Sequence, residues 1–370
     1  MRKSTFEQVL ALVRNELWNQ PLDAPIPTGD IEEILQCAKQ QAVSGLVANA
    51  IIRNQLPIGD DLTMNVCAIQ KAHERNNINI NTEVAKFSAF LNRRNLDYAI
   101  IKGQTMATLY PDPQARTPGD IDFYCPKHAF KQVHEVIQER LGIKIVGNKS
   151  KKHDNFEIDG FSFEMHSDMT DFGYWGYQKY WDGFFDKELQ ETPATVDIDG
   201  QAVKTLPPTL NALYIFIHAF YHLILNGNGL GLKQYCDWCL VMHNLHDQID
   251  FPRLDQHLSH LGMKKAYMAV AAFCVQKLGL SPCDVFCDSQ TSNDLLSTSE
   301  WPERMLDNFL EIRQFSEKVR VSGGVSLRHS LSTSAVVAKQ VKTYFSLAPL
   351  ELIFRIPEMA AWSFKKRFVS

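Results

Sequence analysis

The chain has 370 residues, 45% of them hydrophobic and 22% charged, with a formal net charge of −4. That composition describes a globular protein with room for two or three domains and excludes a disordered one. The charge is unevenly spread: from Lys318 to the end, nine Lys/Arg face two Glu, a surplus of seven, which leaves about −11 on the rest. Such asymmetry points to contact of the basic tail with a polyanion or an anionic membrane face, or to a solvated helical surface.

The opening run, MRKSTFEQVLALVRNELW, carries Glu7, Arg14 and Glu16 where a signal peptide would be apolar. The longest apolar run, ALYIFIHAFYHLIL, has 14 residues and two histidines, too few to span a bilayer. A cytoplasmic protein without a membrane span is expected, and eight scattered cysteines in apolar, helix-like surroundings agree with a reducing compartment.

In chain order, residues 1–95 read as helices: IEEILQCAKQQAVSGLVANAIIRN and the long stretch from Leu62 to Asn95 place apolar residues three and four apart. At LDYAIIKG the period changes. A short β-type run, Tyr98 to Ile101, ends at Lys102-Gly103 and leads into a helical piece, QTMATLY, and a loop, PDPQARTPG. DIDFYC is a strand whose alternation sets Asp120 and Asp122 on one face and Ile121 and Phe123 on the other. PKHAFKQVHEVIQERLG is a helix with proline in its first turn and glycine at its end.

Three β-type segments follow, IKIVGN, HDNFEID and GFSFEMHS, the last two joined at Asp159-Gly160. In the third, Phe161, Phe163 and Met165 share one face, and Ser162, Glu164 and His166 the other. An aromatic stretch, DFGYWGYQKYWDGFF, precedes a second hairpin, ATVDIDGQAVKTL, and from Pro207 onward the chain is helical again. The expected architecture is α+β: a helical region at 1–95, a small mixed-sheet core at 96–206, and a helical region with a basic tail at 207–370.

Cys236, Cys239, His243 and His246 share one helix face, but ten residues of helix rise about 15 Å, and four zinc ligands must meet at one point. A packed face is the better reading. His218 and His222, four apart, likewise read as packing in the absence of a third ligand; Lys233 and Asp237 read as a helix ion pair, the alternative being that the glycine loop beside them closes over the nucleotide or acceptor. Tyr174, Trp175, Tyr177, Tyr180 and Trp181 read as core, with base stacking the alternative.

The acids are another matter. Asp120, Asp122 and Glu164 sit on strand faces of one small unit. Bare carboxylates about 4 Å apart repel by about 4 kcal/mol per pair at an effective dielectric near 20. A hard divalent cation, magnesium or manganese, turns that repulsion into attraction, and a pair of such ions suits in-line phosphoryl chemistry. Upstream, Lys102 supplies charge, Gly103 permits close backbone approach to a phosphate, and Arg116, ahead of Gly119 and the acid pair, is suited to clamp one bidentately.

The run KGQT…PDPQARTPGDIDFY, with FEMH and HAFYHLILNGNGLGLKQYCDW after it, resembles the uncharacterised bacterial nucleotidyltransferases of the DNA polymerase β-like superfamily, and the related abortive-infection-type enzymes, over about residues 28 to 280. The resemblance implies a polymerase β-like core in which Gly103 and Gln104 take the nucleotide-loop positions, with Lys102, Arg116 and Gly119 beside them. Asp120, Asp122 and Glu164 would be both catalytic and Mg²⁺ (or Mn²⁺) ligands, with His166 and Lys233 as accessory residues. Gln104 stands where the family has a small residue. The implied reaction is transfer of NMP from an NTP to an acceptor hydroxyl, with Glu164 as a ligand of the second ion or as the general base. The acceptor stays open among a protein, an RNA, a sugar and a small metabolite. The alternatives are an inactive nucleotide-binding module and a metal-dependent glycosyltransferase using the Asp-x-Asp strand; the latter leaves the Lys-Gly loop and Glu164 without a role.

Overall fold

The computed structural model describes residues 2–143, 145–147, 153–225, 231–286, 296–321 and 338–356. Its first part is four helices: α1 (Lys3–Trp18), α2 (Ile31–Gln40), α3 (Ser44–Arg53) and α4 (Asp60–Asn92). In α2 the residues Ile31, Ile34, Leu35 and Ala38 fall on one buried stripe, as spacing of three and four requires. Asp60 and Asp61 open α4, where carboxylates favour the helix N-terminus.

Seven strands and three helices follow: β1 (Ala99–Ile100), α5 (Gly103–Ala107), β2 (Ile121–Tyr124), α6 (Lys127–Leu141), β3 (Val146–Gly147), β4 (His153–Ile158), β5 (Phe161–His166), α7 (Trp175–Glu191), β6 (Ala194–Ile198) and β7 (Gln201–Thr205). They form one mixed sheet in the order β3-β4-β5-β2-β1-β7-β6. The expected hairpins are both present. Each turns on Asp-Gly, at 159–160 and 199–200, and all four residues have positive φ, the backbone that a tight two-residue hairpin demands and that Asp and Gly tolerate.

Further helices complete the chain: α8 (Pro208–Leu225), α9 (Leu232–Asn244), α10 (Phe251–His260), α11 (Lys264–Leu278), α12 (Trp301–Val321), and two short stretches at 338–344 and 349–356. Among the described residues no helix is long and apolar enough to cross a membrane.

Two apolar cores flank the sheet. On one side Phe87 of α4 meets Phe123, Phe156 and Phe163 at ring separations of 5.0, 6.2 and 4.8 Å, with Val133 and Ile137 of α6 in the same cluster. The other core is built by the helical regions and takes in Ala99, Ile101 and Tyr124. The face of β2 and β5 opposite the phenylalanines carries their carboxylates toward α8 and α9.

Candidate active site

Strands β2 and β5 run parallel, with Asp122 directly opposite Glu164 and Tyr124 opposite His166. In-register partners project from the same face. The alternation read from sequence therefore places both carboxylates together while Phe123, Phe163 and Met165 are buried on the other side. Asp122, Glu164 and His166 offer ligand atoms that all lie within 4.8 Å of one another, a grouping of metal-binding type among the described residues. Asp120 differs from its expected place. The strand begins at Ile121, so Asp120 stands just ahead of it, exposed at the cavity wall and outside that group.

Lys102 and His166 hold Asp122 in its buried position. Lys102 Nζ lies 3.1 Å and His166 Nε2 2.8 Å from the same oxygen, Asp122 Oδ1, and His166 Nε2 is 3.6 Å from Glu164 Oε2. Burial pushes the Asp122 carboxyl upward, but the Lys102 charge and the His166 hydrogen bond overcome it and hold the group well below the usual carboxylate range. For Lys102 burial works downward, while Tyr214, Asp122 and Asp120 outweigh it, so the ammonium is raised above its ordinary value. The backbone of Lys102 is strained, with φ 59° and ψ −151°, a region that only glycine enters freely. It is held there by two neighbours: Thr105 Oγ1 donates to the Lys102 carbonyl at 2.8 Å, and the Ile101 N–H donates to the Asp122 carbonyl at 2.9 Å.

Lys102, Asp122 and Glu164, though not His166, line a cavity of about 280 Å³. Its acidic side is Asp120, Asp122 and Glu164; Lys102, Arg116 and Lys233 bring positive charge to it; His218 and His222 of α8 and the backbone of Gly103 and Gly119 are also in its wall. Ligand pockets for drug-sized molecules begin near 300 Å³, so the enclosed part matches a phosphate-and-ion end rather than a whole nucleotide with its acceptor. Gly103 has φ +53°, and the space above Gly119 is bounded by Lys233 Nζ, 3.8 Å from where a Cβ would stand.

Several residues have partners that sequence spacing did not show. Arg116 is buried and makes a two-point pair with Asp237, Nε and Nη2 each at 2.8 Å from its oxygens, and Tyr110 donates to Asp237 at 2.7 Å. The third nitrogen of Arg116, Nη1, is buried without a hydrogen-bond partner among the described residues. Asp237 thus belongs to Arg116, and the i,i+4 ion pair with Lys233 does not form. Burial and nearby Arg116 lower Lys233 to about 8. Gln104 does not line the cavity; its amide Nε2 points to α4, 3.3 Å from Asn77 Oδ1 and bonded also to Asn81. The role of such a side chain is to tether α5 to α4.

His218 and His222 read as packing from sequence, and their rings do meet, 4.5 Å apart, but both also face the cavity. Burial drives both down, His222 to about 4, so they are neutral imidazoles near pH 7. The signal available was their i,i+4 spacing on the helix that follows the sheet. The packed helix face holds for two of its residues: Cys236 and Cys239 are buried in the core, while His243 is exposed and pairs with Asp284 at 2.8 Å. Trp181 packs on Phe172, Phe184 and Phe185 as the core reading has it, whereas Trp175 is 66% exposed and is not core; none of the five aromatics lines the cavity. The glycine loop at 226–230 and four of the nine basic residues of the tail, Arg328 and Lys365 to Arg367, lie outside the described residues.

The donor set fits a divalent cation. Two carboxylates and one imidazole converge, and Asp122 Oδ1 is already contacted by the Lys102 ammonium, whose place beside the carboxylate an ion would take. Oxygen donors suit magnesium, and the imidazole extends the fit to manganese.

A sequence model of the family described as "Uncharacterised nucleotidyltransferase" matches residues 27–279. Among solved structures the chain is similar to an antigenic nucleotidyltransferase-like protein from Paracoccidioides brasiliensis, at 18% identity and a TM-score of 0.34, over 54% of this chain and 92% of that one. No curated protein matches.

Proposed function

From the premise that the chain belongs to this uncharacterised nucleotidyltransferase family, with its mixed α+β, polymerase β-like core between helical regions, we propose that it moves an NMP from an NTP to an acceptor hydroxyl and releases pyrophosphate. One observation carries the reading. Two carboxylates are fixed in register on adjacent parallel strands, in a cavity that Lys102, Arg116 and Lys233 also line. Acids without cations would repel a triphosphate, and cations without acids would give its magnesium no seat.

In this reading Asp122 and Glu164 hold the divalent ion, with Asp120 turning in from the cavity mouth when Mg-NTP arrives. The ion would supply charge neutralisation on the phosphates and acidify the attacking hydroxyl. Lys102 releases Asp122 and turns to the β- and γ-phosphates, so the negative charge that it balances changes from carboxylate to phosphate. Lys233 and the free Nη1 of Arg116 act on the same charge, and the N–H groups at Gly103 and Gly119 bound its position. Arg116, held by Asp237, is a fixed donor and need not reorganise as charge develops.

The test is release of pyrophosphate from labelled NTPs with Mg²⁺ in the presence of cell extract, which supplies acceptors, followed by locating the label. Replacing Asp122→Asn and, separately, Glu164→Gln should each lower the rate by about 10³-fold or more, with the circular dichroism of at least one variant unchanged. Binding of Mg-NTP without any turnover would replace the reading with that of a nucleotide-binding module.

A further inference from the structure

The carboxylate best placed to hold an ion already holds a cation. Lys102 Nζ lies 3.1 Å from Asp122 Oδ1, and with the two side chains 16% and 9% exposed the pair is nearly closed off from water. Lys102 is not carried there by a long excursion of its side chain. The Ile101 N–H donates to the Asp122 carbonyl at 2.9 Å, so the residue before Lys102 is tied to the backbone of Asp122 itself. Lys102 then takes φ 59° and ψ −151° where the strand gives way to α5. Strained backbone of this kind collects at ligand clamps and switches, where holding a side chain in one place is useful. The Tyr214 ring, its centre 6.0 Å from Nζ, walls the ammonium in from the α8 side.

We propose that Lys102 makes the cavity selective for a divalent ion and a triphosphate that arrive as one complex, and turns away each of the two alone. This selectivity rests on the transfer reading above for one thing only, that ion and triphosphate share the cavity. A divalent ion bound to Asp122 at about 2.1 Å would stand close to the Lys102 ammonium, and their repulsion is twice that of two single charges at the same separation. Lys102 must therefore leave, and the wall offers it little. Among the described wall residues three cationic side chains already face four carboxylates, and the ion would take Asp122 and Glu164 for itself. A triphosphate without an ion fails for the complementary reason. Its oxygens would draw Lys102 off Asp122 and leave that carboxylate, 7% exposed, without its cation and beside new negative charge. Only the complex supplies both replacements together, a cation for Asp122 and an anion for Lys102. Each half then raises the affinity of the other by the same factor, as linkage requires. A lysine that only fastens β1 to β2 would stay on Asp122 throughout and give no such coupling.

Titration calorimetry of the full chain at pH 7 tests this, with manganese chloride, inorganic tripolyphosphate and their equimolar complex as titrants. No nucleotide preference enters, and no turnover is needed. Wild-type protein should bind the complex at least tenfold more tightly than it binds either component. Lys102→Met should bind Mn²⁺ alone at least tenfold more tightly than the wild type does, and the complex more weakly. Lys102→Gln, which keeps a neutral donor beside Asp122, should gain Mn²⁺ affinity in the same direction and serves if the first variant melts early. Adding Asp122→Asn to either variant should remove the gained Mn²⁺ binding. Equal Mn²⁺ affinity in the wild type and both variants overturns the proposal and leaves NMP transfer untouched, since transfer asks only that Mg-NTP bind. Tight Mn²⁺ binding to the wild type without tripolyphosphate overturns it too, and so does a gain that survives Asp122→Asn, which would place the ion elsewhere. Failure of the wild type to bind either the complex or any Mg-NTP would remove the transfer reading along with it.

Discussion

Lys233 is the residue whose chemistry is most readily measured. Burial and the neighbouring Arg116 bring it to about 8, so the free protein carries a charged ammonium there below that pH and a neutral amine above it. A triphosphate beside it favours the charged form. Below pH 8 binding therefore moves no proton at this site; above pH 8 each binding event must take one up. Affinity for Mg-ATP should be flat up to about pH 8 and then fall, approaching tenfold per pH unit. Titration calorimetry at pH 8.5 in buffers of different ionisation enthalpy should register proton uptake, and Lys233→Met should abolish both the uptake and the slope. An equally steep slope in the variant would remove Lys233 from the phosphate site. At this scale the sequence was informative about the acids and poor on their partners. Asp122 and Glu164 were legible because strand alternation is a local rule. Arg116 and Asp237 are 121 positions apart, and nothing local to either indicates that pair.

Among the elements, the loop between α5 and β2 is positioned by helices far upstream. Asn77 of α4 donates to the carbonyls of Gln114 and Arg116 at 2.8 and 2.9 Å. Gly45 of α3 sits so close that a Cβ added there would stand 2.2 Å from the Ala115 carbonyl oxygen. Backbone cannot yield as a flexible side chain can, so Gly45→Ala must displace the segment that presents Arg116. A destabilisation of about 1–3 kcal/mol is expected, the usual cost of overpacking, together with weaker Mg-NTP binding. Gly29→Ala is the control, since nothing lies within 4 Å of its added Cβ. Equal urea midpoints for the two variants would mean that α3 does not brace the loop. Helices and both hairpins were readable from period and from Asp-Gly turns. The start of β2 was not: Asp120 continues the alternation but lies outside the ladder, because pairing with β5 begins at Ile121 opposite Phe163. Alternation reports which face a residue takes, and it is silent on where the neighbouring strand starts.

For the molecule as a whole, the mixed sheet depends on helices from both ends of the chain. The region 96–206 contains all seven strands, yet the phenylalanine cluster under β2, β4 and β5 is closed by Val84, Phe87 and Leu91 of α4. On the opposite face, α8 and α9 supply Tyr214, His218 and Asp237 around the acids. Taken alone, residues 96–206 would lose α4, α8 and α9 from the two faces of the sheet, keeping only α5 to α7, and Arg116 would lose the carboxylate it pairs with, a loss of several kcal/mol before any apolar area is counted. Small domains have only about 5–15 kcal/mol to lose. The fragment 96–206 is therefore expected to lack a cooperative urea transition, while the full chain unfolds cooperatively. Within the full chain, Phe87→Ala should cost about 3–5 kcal/mol, the range for emptying a buried aromatic site, because the ring it removes touches three others across the helix–sheet boundary. A well-folded fragment together with a mild Phe87→Ala would show that the sheet carries its own core and that the helices only cover it. The site would then belong to the strands alone. A collapsed fragment with a costly Phe87→Ala would make the active site a product of the whole chain, with acids from the sheet held in place by helices on either side.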